Sequence, residues 1–198
     1  MNLVAESTVL ACSRCAWCSQ DPVYQRYHDT EWGVAEYDAQ RLFEKLLLDG
    51  FQAGLSWITV LKKRDRYRQV YQGFDPHFMA QQSDDDLLDL LEDPGIIRNR
   101  LKVKAARQNA QAWLRLSEQG DPGRWLWQFV GGVPRINRFA DMSQVPVTTD
   151  QALAMSKALK KAGFTFAGPT ICYAFMQATG MVMDHTRDCF RYADLAGL

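Results

Sequence analysis

Two sets of residues have the types and spacing to do chemistry. The first is a carboxylate set among aromatic side chains. Asp49 lies seven positions after Leu42 and three after Leu46, so a helix over 38–48 carries it on its apolar face. Gly50 stands where a cap is expected. An acid in a last turn opposes the helix macrodipole, and a carboxylate placed there on the inner face suits a site that needs negative charge. Gly54-Leu55-Ser56-Trp57 then returns an indole toward that carboxylate. A carboxylate beside an indole face fits a flat cation, since a ring face attracts a desolvated cation by about 2 kcal/mol.

The second set is nitrogen and sulfur. Cys15 and His28 lie near one end of the chain, His185 and Cys189 near the other. Cys2His2 is the ligand number and type of a structural zinc, with no position left for water. Such a metal closes a loop over most of the chain. Cys12-x-x-Cys15-x-x-Cys18 is a rival thiol motif, with no second cysteine pair to support it. Cys172, in an apolar helical stretch, reads as a small buried hydrophobe.

Basic residues form three groups. One follows Pro94-Gly95 and holds Arg98, Arg100, Lys102, Lys104 and Arg107. Another is Lys157, Lys160 and Lys161, and a third runs from Lys62 to Arg68. A glycine turn opening a basic helix exposes N–H groups that suit a phosphate, as in a helix-hairpin-helix.

The elements needed to position these residues are helical. The periodicity predicts helices over 38–48, 55–71, 84–92, 96–118, 122–130, 149–162 and 168–179. Ser83 before three aspartates, and Thr149 before Asp150, are N-cap signals. No run alternates long enough to require a sheet, so the fold class is all-α. Residues 1–13 are expected to be a loose leader, and 14–198 a single domain. Residues 12–37, rich in Cys, Trp and Tyr, read as irregular.

A chain of 198 residues can bury a proper core. Formal net charge is zero, so nucleic-acid binding must rest on local patches. Five cysteines, an odd number, point to a reducing, cytoplasmic compartment. The start lacks a basic signal-peptide region, and no stretch approaches a membrane span, so no membrane partner is expected.

Taken together, the motifs are specific. Cys15-Ala-Trp17, Asp21-Pro22, Tyr24, Tyr27-His28-Asp29 and Glu31-Trp32-Gly33-Val34 come first. Gln52-Ala-Gly-Leu-Ser-Trp-Ile-Thr-Val-Leu-Lys-Lys-Arg64, Gly95-Ile-Ile-Arg98 and Ser156-Lys-Ala-Leu-Lys-Lys161 follow. Cys172-Tyr173, Phe175-Met-Gln177 and Asp184-His185 through Cys189 complete the set. In this order, from about Arg14 to Cys189, the chain resembles type I 3-methyladenine DNA glycosylases.

The resemblance implies a helix-hairpin-helix DNA glycosylase fold, with zinc on Cys15, His28, His185 and Cys189 joining the N- and C-terminal segments. It implies a base pocket of Asp49, Tyr27 and Trp57, with Trp17, Tyr24, Trp32 and Gln52 around it. Leu55 would fill the gap left by an extruded base. The hairpin would lie at about 85–104, and Gly95, Arg98, Arg100, Lys102, Lys157, Lys160 and Lys161 would face DNA. The implied reaction is hydrolysis of the N-glycosidic bond of 3-methyladenine in duplex DNA by a monomer that releases the free base. No lyase step is expected, because no motif places a lysine at the pocket.

Two positions depart from the family pattern. Asp49 stands where the family has glutamate, and Met183 where it usually has asparagine. The first shortens the reach of the carboxylate by one methylene. The competing readings are a weakly hydrolysing relative that binds damaged DNA or another base, and a zinc-stapled helical interaction module without a DNA role.

Overall fold

The computed structural model describes residues 13–197. The expected leader thus lies outside the described residues, apart from Ser13, as does Cys12 of the rival thiol motif. Eleven α-helices are described: α1 Pro22–Thr30, α2 Ala39–Gln52, α3 Trp57–Leu61, α4 Arg64–Val70, α5 Pro76–Gln81, α6 Asp84–Glu92, α7 Arg100–Ser117, α8 Pro122–Trp127, α9 Asp150–Lys161, α10 Pro169–Ala178 and α11 Phe190–Ala196. Two short strands, β1 Arg135–Ile136 and β2 Val182–Met183, pair in parallel with Arg135 opposite Val182. Among the described residues, no helix is long and apolar enough to cross a membrane.

Caps fix the helix starts that the sequence marks. Ser83 and Asp86 form a reciprocal capping box on α6, and the Thr149 side chain accepts from Ala152 N on α9. Other expectations need correction. The segment 12–37 contains α1, started by the Asp21 side chain and by Pro22 at the first helical position. The helix expected over 55–71 is two, broken at Lys62-Lys63. The helix expected from 96 begins at Arg100, because Asn99 turns its side chain to cap Leu101 N and Lys102 N. Gly50 does not cap α2, which runs on to Gln52. A β-carbon on Gly50 would sit 3.3 Å from Phe166 Cβ, so its smallness serves helix packing.

α2 lies at the centre. Its Leu42, Phe43, Leu46, Leu47 and Leu48 are buried, and it packs against α3, α7 and α10. α7 packs on α5 and α6, and α9 on α10.

The hairpin is α6, residues 93–99 and α7. Its loop is bolted to α4. Arg66 Nε donates to Asp93 Oδ2 at 2.7 Å, Lys63 Nζ to the Pro94 carbonyl at 2.7 Å, and Ile97 N to Tyr67 Oη at 3.0 Å. Gly95 is required there by close approach, since a β-carbon would come within 2.5 Å of Arg66 Cγ.

Candidate functional site

α1, the turn after it, α2, α3 and α10 enclose a cavity of about 200 Å³. Trp17, Tyr24, Tyr27, Trp32, Asp49, Gln52 and Trp57 line it, together with Lys45, Met142, Ala174, Gln177 and Ala178. This is below the roughly 300–1,000 Å³ of pockets for drug-sized ligands, and suits one flat ring system.

The rings form a cup. Tyr27 and Trp57 have centroids 5.3 Å apart, and Trp17 lies 5.1 Å from Tyr24 and 4.9 Å from Trp32. Asp49 is 1% exposed. Its Oδ1 accepts from Lys45 Nζ at 2.6 Å, while Oδ2 is buried with no partner. Trp57 Nε1 and Trp17 Nε1 are likewise buried and unpartnered. Buried polar atoms are paired as a rule, and leaving one unmet costs about 1–3 kcal/mol. An acceptor and two indole donors unmet in one cup mark it as a binding site. Burial pushes the Asp49 carboxyl above the usual carboxylate range, with the Lys45 ammonium opposing. Burial likewise lowers the Lys45 amine, and Asp49 opposes that shift.

Lys45 was not expected at the cup. It lies one helical turn before Asp49, with its ammonium 3.6 Å above the Trp57 ring centroid. A lysine thus reaches the pocket although no motif places one there. The signal was available in the i,i+4 relation on α2. Gln177 was quoted in a motif but given no role. Its Nε2 donates to Asp184 Oδ2 at 2.9 Å, an oxygen also held by Tyr173 Oη at 2.6 Å, while Asn137 Nδ2 donates to Oδ1. Met183, the second departure from the family pattern, is buried at 1% exposed, and its carbonyl accepts from Asn137 N.

Behind the cup, one ligand atom from each of Cys15, His28, His185 and Cys189 lies within 4.8 Å of the others, and all four residues are buried. Cys15 Sγ and Cys189 Sγ are each 3.4 Å from His185 Nδ1, and Cys189 Sγ is 3.4 Å from His28 Nε2. Bonds of about 2.3 Å to sulfur and about 2.0 Å to nitrogen around a tetrahedral ion give separations of roughly this size. The outer nitrogens are held as metal-bound imidazoles usually are. His28 Nδ1 faces Asp29 Oδ1 at 2.8 Å, and His185 Nε2 faces the Trp32 carbonyl at 2.9 Å. The Cys189 thiol is drawn down, first by the hydrogen bond with Cys15 and then by His185 and His28. The hydrogen bond to Cys189, and then burial, push Cys15 up. The set fits a zinc ion. Gly33, at φ +80°, lets the chain turn beside His185, since a β-carbon there would meet its ring at 3.0 Å. Trp32 belongs to both sites, with its carbonyl on His185 and its ring in the cup.

The expected DNA-facing residues divide. Arg98 and Arg100 at the hairpin, and Lys157, Lys160 and Lys161 on α9, are exposed. Gly95 is half-buried in the hairpin loop. Lys102 is corrected. It is 5% exposed and donates to the Phe51 carbonyl at 2.8 Å and the Ala53 carbonyl at 2.7 Å. Its charge answers the C-terminal end of α2 instead of a phosphate. Leu55 does not line the cavity; it stands 41% exposed on the turn after α2.

Comparison with known proteins gives consistent matches. A family described as methyladenine glycosylase matches residues 17–192. The chain is 49% identical over 180 residues to DNA-3-methyladenine glycosylase 1 of Escherichia coli (strain K12), covering 90% of this chain and 96% of that protein. It is 47% identical over 178 residues to the DNA-3-methyladenine glycosylase of Haemophilus influenzae, covering 89% and 96%. A crystal structure of a 3-methyladenine DNA glycosylase I superposes with a TM-score of 0.89 at 50% identity, covering 90% of this chain and 98% of that one. A Staphylococcus aureus structure, described as giving the basis of 3-methyladenine recognition, superposes at 0.88 with 36% identity, covering 91% and 96%.

Proposed function

The chain belongs to the methyladenine glycosylase family, and from that premise we infer how its own residues work. It is a DNA glycosylase that releases 3-methyladenine. The observation that carries the residue assignment is the buried cup in which one unpartnered carboxylate oxygen shares its lining with tilted aromatic rings.

A base in a duplex cannot reach such a cup without leaving the stack, which costs a few kcal/mol and least for a poorly paired base. Methylation at N3 gives the nucleotide base a positive charge, so it is already a good leaving group and needs no proton from the enzyme. Trp57 and Tyr27 supply ring faces. Asp49 Oδ2 accepts from the exocyclic amine or a ring N–H, and the indole N–H groups of Trp17 and Trp57 offer donors to ring nitrogens. Water attacks the sugar once the base is held. The sugar stays at the mouth of the cup, while Lys45 Nζ is held against Asp49 and Trp57. The amine therefore meets the base and not the sugar carbon, and the enzyme is monofunctional.

DNA is gripped at the hairpin loop by Arg98 and Arg100 and on α9 by Lys157, Lys160 and Lys161. Leu55 enters the gap left by the base. Cys15, His28, His185 and Cys189 would together hold a zinc ion, which would supply structure and no open position for water. His185 and His28 lie against Trp32 and Trp17, and the four residues bring the segment at residue 15 to that at 189. Residues 14–198 act as one domain and a monomer, in a reducing cytoplasm.

The test is release of 3-methyladenine from methylated duplex DNA, followed by chromatography of the free base. The wild type releases it, and Asp49→Asn loses about 10²-fold or more per folded molecule. Full activity of the folded variant would remove Asp49 from the mechanism.

A further inference from the structure

The cup carries its own cation. Lys45 Nζ lies 3.6 Å over the Trp57 ring and 5.5 Å from the Tyr27 centroid, on ring faces that a flipped base would stack against. It holds one oxygen of Asp49 at 2.6 Å. Its side chain is 14% exposed and that of Asp49 is 2%. Lys45 and Asp49 are the charged residues lining the cup; nearby, Glu31, after α1, and Arg64, on α4, pair with each other, Arg64 NH2 lying 2.9 Å from Glu31 Oε1. Asp49 against Lys45, and Glu31 against Arg64, leave the cup with no net charge. Without Lys45, Asp49 would be the cup's one charged lining residue, and a cationic base would become its counter-ion.

We propose that Lys45 is a specificity-determining residue: a displaceable internal counter-ion that occupies the indole face in the empty cup and weakens its preference for cationic over neutral bases. A cationic base must move the ammonium off Trp57 and share Asp49 with it. A neutral base that presents an acceptor toward the lysine gains a charge-assisted hydrogen bond instead. The cup thus spans neutral and cationic purines more evenly than one with the carboxylate alone. This rests on the reading that the cup takes the flipped base.

The experiment compares wild type, Lys45→Met and Lys45→Arg, each checked for folding by circular dichroism and thermal midpoint. The probes are 3,9-dimethyladeninium, a fixed cation, and 9-methyladenine, its neutral counterpart. Binding is followed by quenching of tryptophan fluorescence. A like charge about 4 Å away, even at an effective dielectric of about 20, is enough for a tenfold effect. The ratio of the neutral to the cationic Kd should rise at least tenfold in Lys45→Met and stay at the wild-type value in Lys45→Arg. An unchanged ratio in Lys45→Met, or an equal weakening of both probes, overturns the proposal and makes Lys45 a structural prop. If Lys45→Met does not fold, Lys45→Gln takes its place with the same two outcomes. Release of 3-methyladenine from methylated DNA by the wild type is scored separately. Its failure sinks the glycosylase reading, whereas release with an unchanged ratio sinks only the role of Lys45.

Discussion

Replacing Asp49 by Asn removes the charge that keeps Lys45 protonated inside the protein. Breaking a buried pair from one side costs about 3–5 kcal/mol, because the remaining ion stays unpaired. Lys45 can escape part of that cost by losing its proton. Burial lowers the amine most and Asp49 is the main group that raises it, with Glu31 a smaller one, so the variant's amine falls further. The cost then cannot exceed that of deprotonating an ordinary lysine. From about 10.4 to pH 7, at about 1.36 kcal/mol per unit, this limit is about 4.6 kcal/mol. The sign follows from proton counting. Between the depressed folded pKa and the unfolded value of about 10.4, the unfolded chain binds the extra proton, so stability rises with pH. The deficit of Asp49→Asn against wild type should thus be about 3–4 kcal/mol at pH 7 and shrink as pH approaches 10. Urea unfolding at pH 7, 8 and 9 measures it, as a difference that cancels the other titrating groups. The double variant Asp49→Asn with Lys45→Met removes the orphaned ion and should regain most of the loss. A deficit that does not change with pH, or a double variant no more stable than the single one, refutes the reasoning.

Lys102→Met leaves the Phe51 and Ala53 carbonyls without their donor. It should cost about 2–3 kcal/mol in urea unfolding and lower base release from DNA more than binding of the free base, because it loosens the turn carrying Leu55 from the hairpin helix. Purified protein should carry one zinc per chain by elemental analysis, and Cys189→Ser should lose it with a drop in Tm of more than about 10 °C. Borohydride added during turnover should trap no covalent DNA adduct. An adduct that disappears in Lys45→Met would make this lysine a nucleophile. Asp49→Glu should hold or raise base release, and a sharp loss would show a cup retuned to another base.

The sequence displayed the residues whose environment is local. Ser83 with Asp86, and Thr149, announce their helix starts through contacts three residues long. Cys2His2 could be assembled from four positions because ligand chemistry admits few residue types. α1 was hidden because it buries only Tyr27 and His28, so no aliphatic stripe declares it, although Asp21-Pro22 did. The buried Lys102 is expected by type on a DNA-facing surface, and the half-buried Lys45 belongs to no motif. Position argued otherwise. Lys102 begins a row with Ala106, Asn109 and Trp113 on the buried face of α7, and Lys45 follows Leu42 and precedes Leu46 on α2. A long aliphatic stem lets a lysine occupy an apolar row when its head finds an oxygen at the end of it. Helical periodicity fixes which row a side chain joins, while the oxygen that receives it comes from tertiary structure.

The C-terminal half of α2 is where these lines meet. Its last carbonyls draw the Lys102 ammonium, which sets the hairpin helix against the turn bearing Leu55. Its inner face carries Lys45 and Asp49 into the cup. The opposite wall is Trp32, whose carbonyl is anchored on His185 in the metal set. On the proposed function the base cup and the hairpin must stay in register to within about 0.5 Å, and here no cup residue does that alone. Lys102 ties α2 to the hairpin helix, beside the Arg66, Lys63 and Tyr67 bonds that hold the hairpin loop, and the four residues that could hold a metal anchor Trp32. Disturbing either should therefore lower turnover on DNA while Asp49, Tyr27 and Trp57 remain chemically intact, a pattern that separates loss of alignment from loss of chemistry.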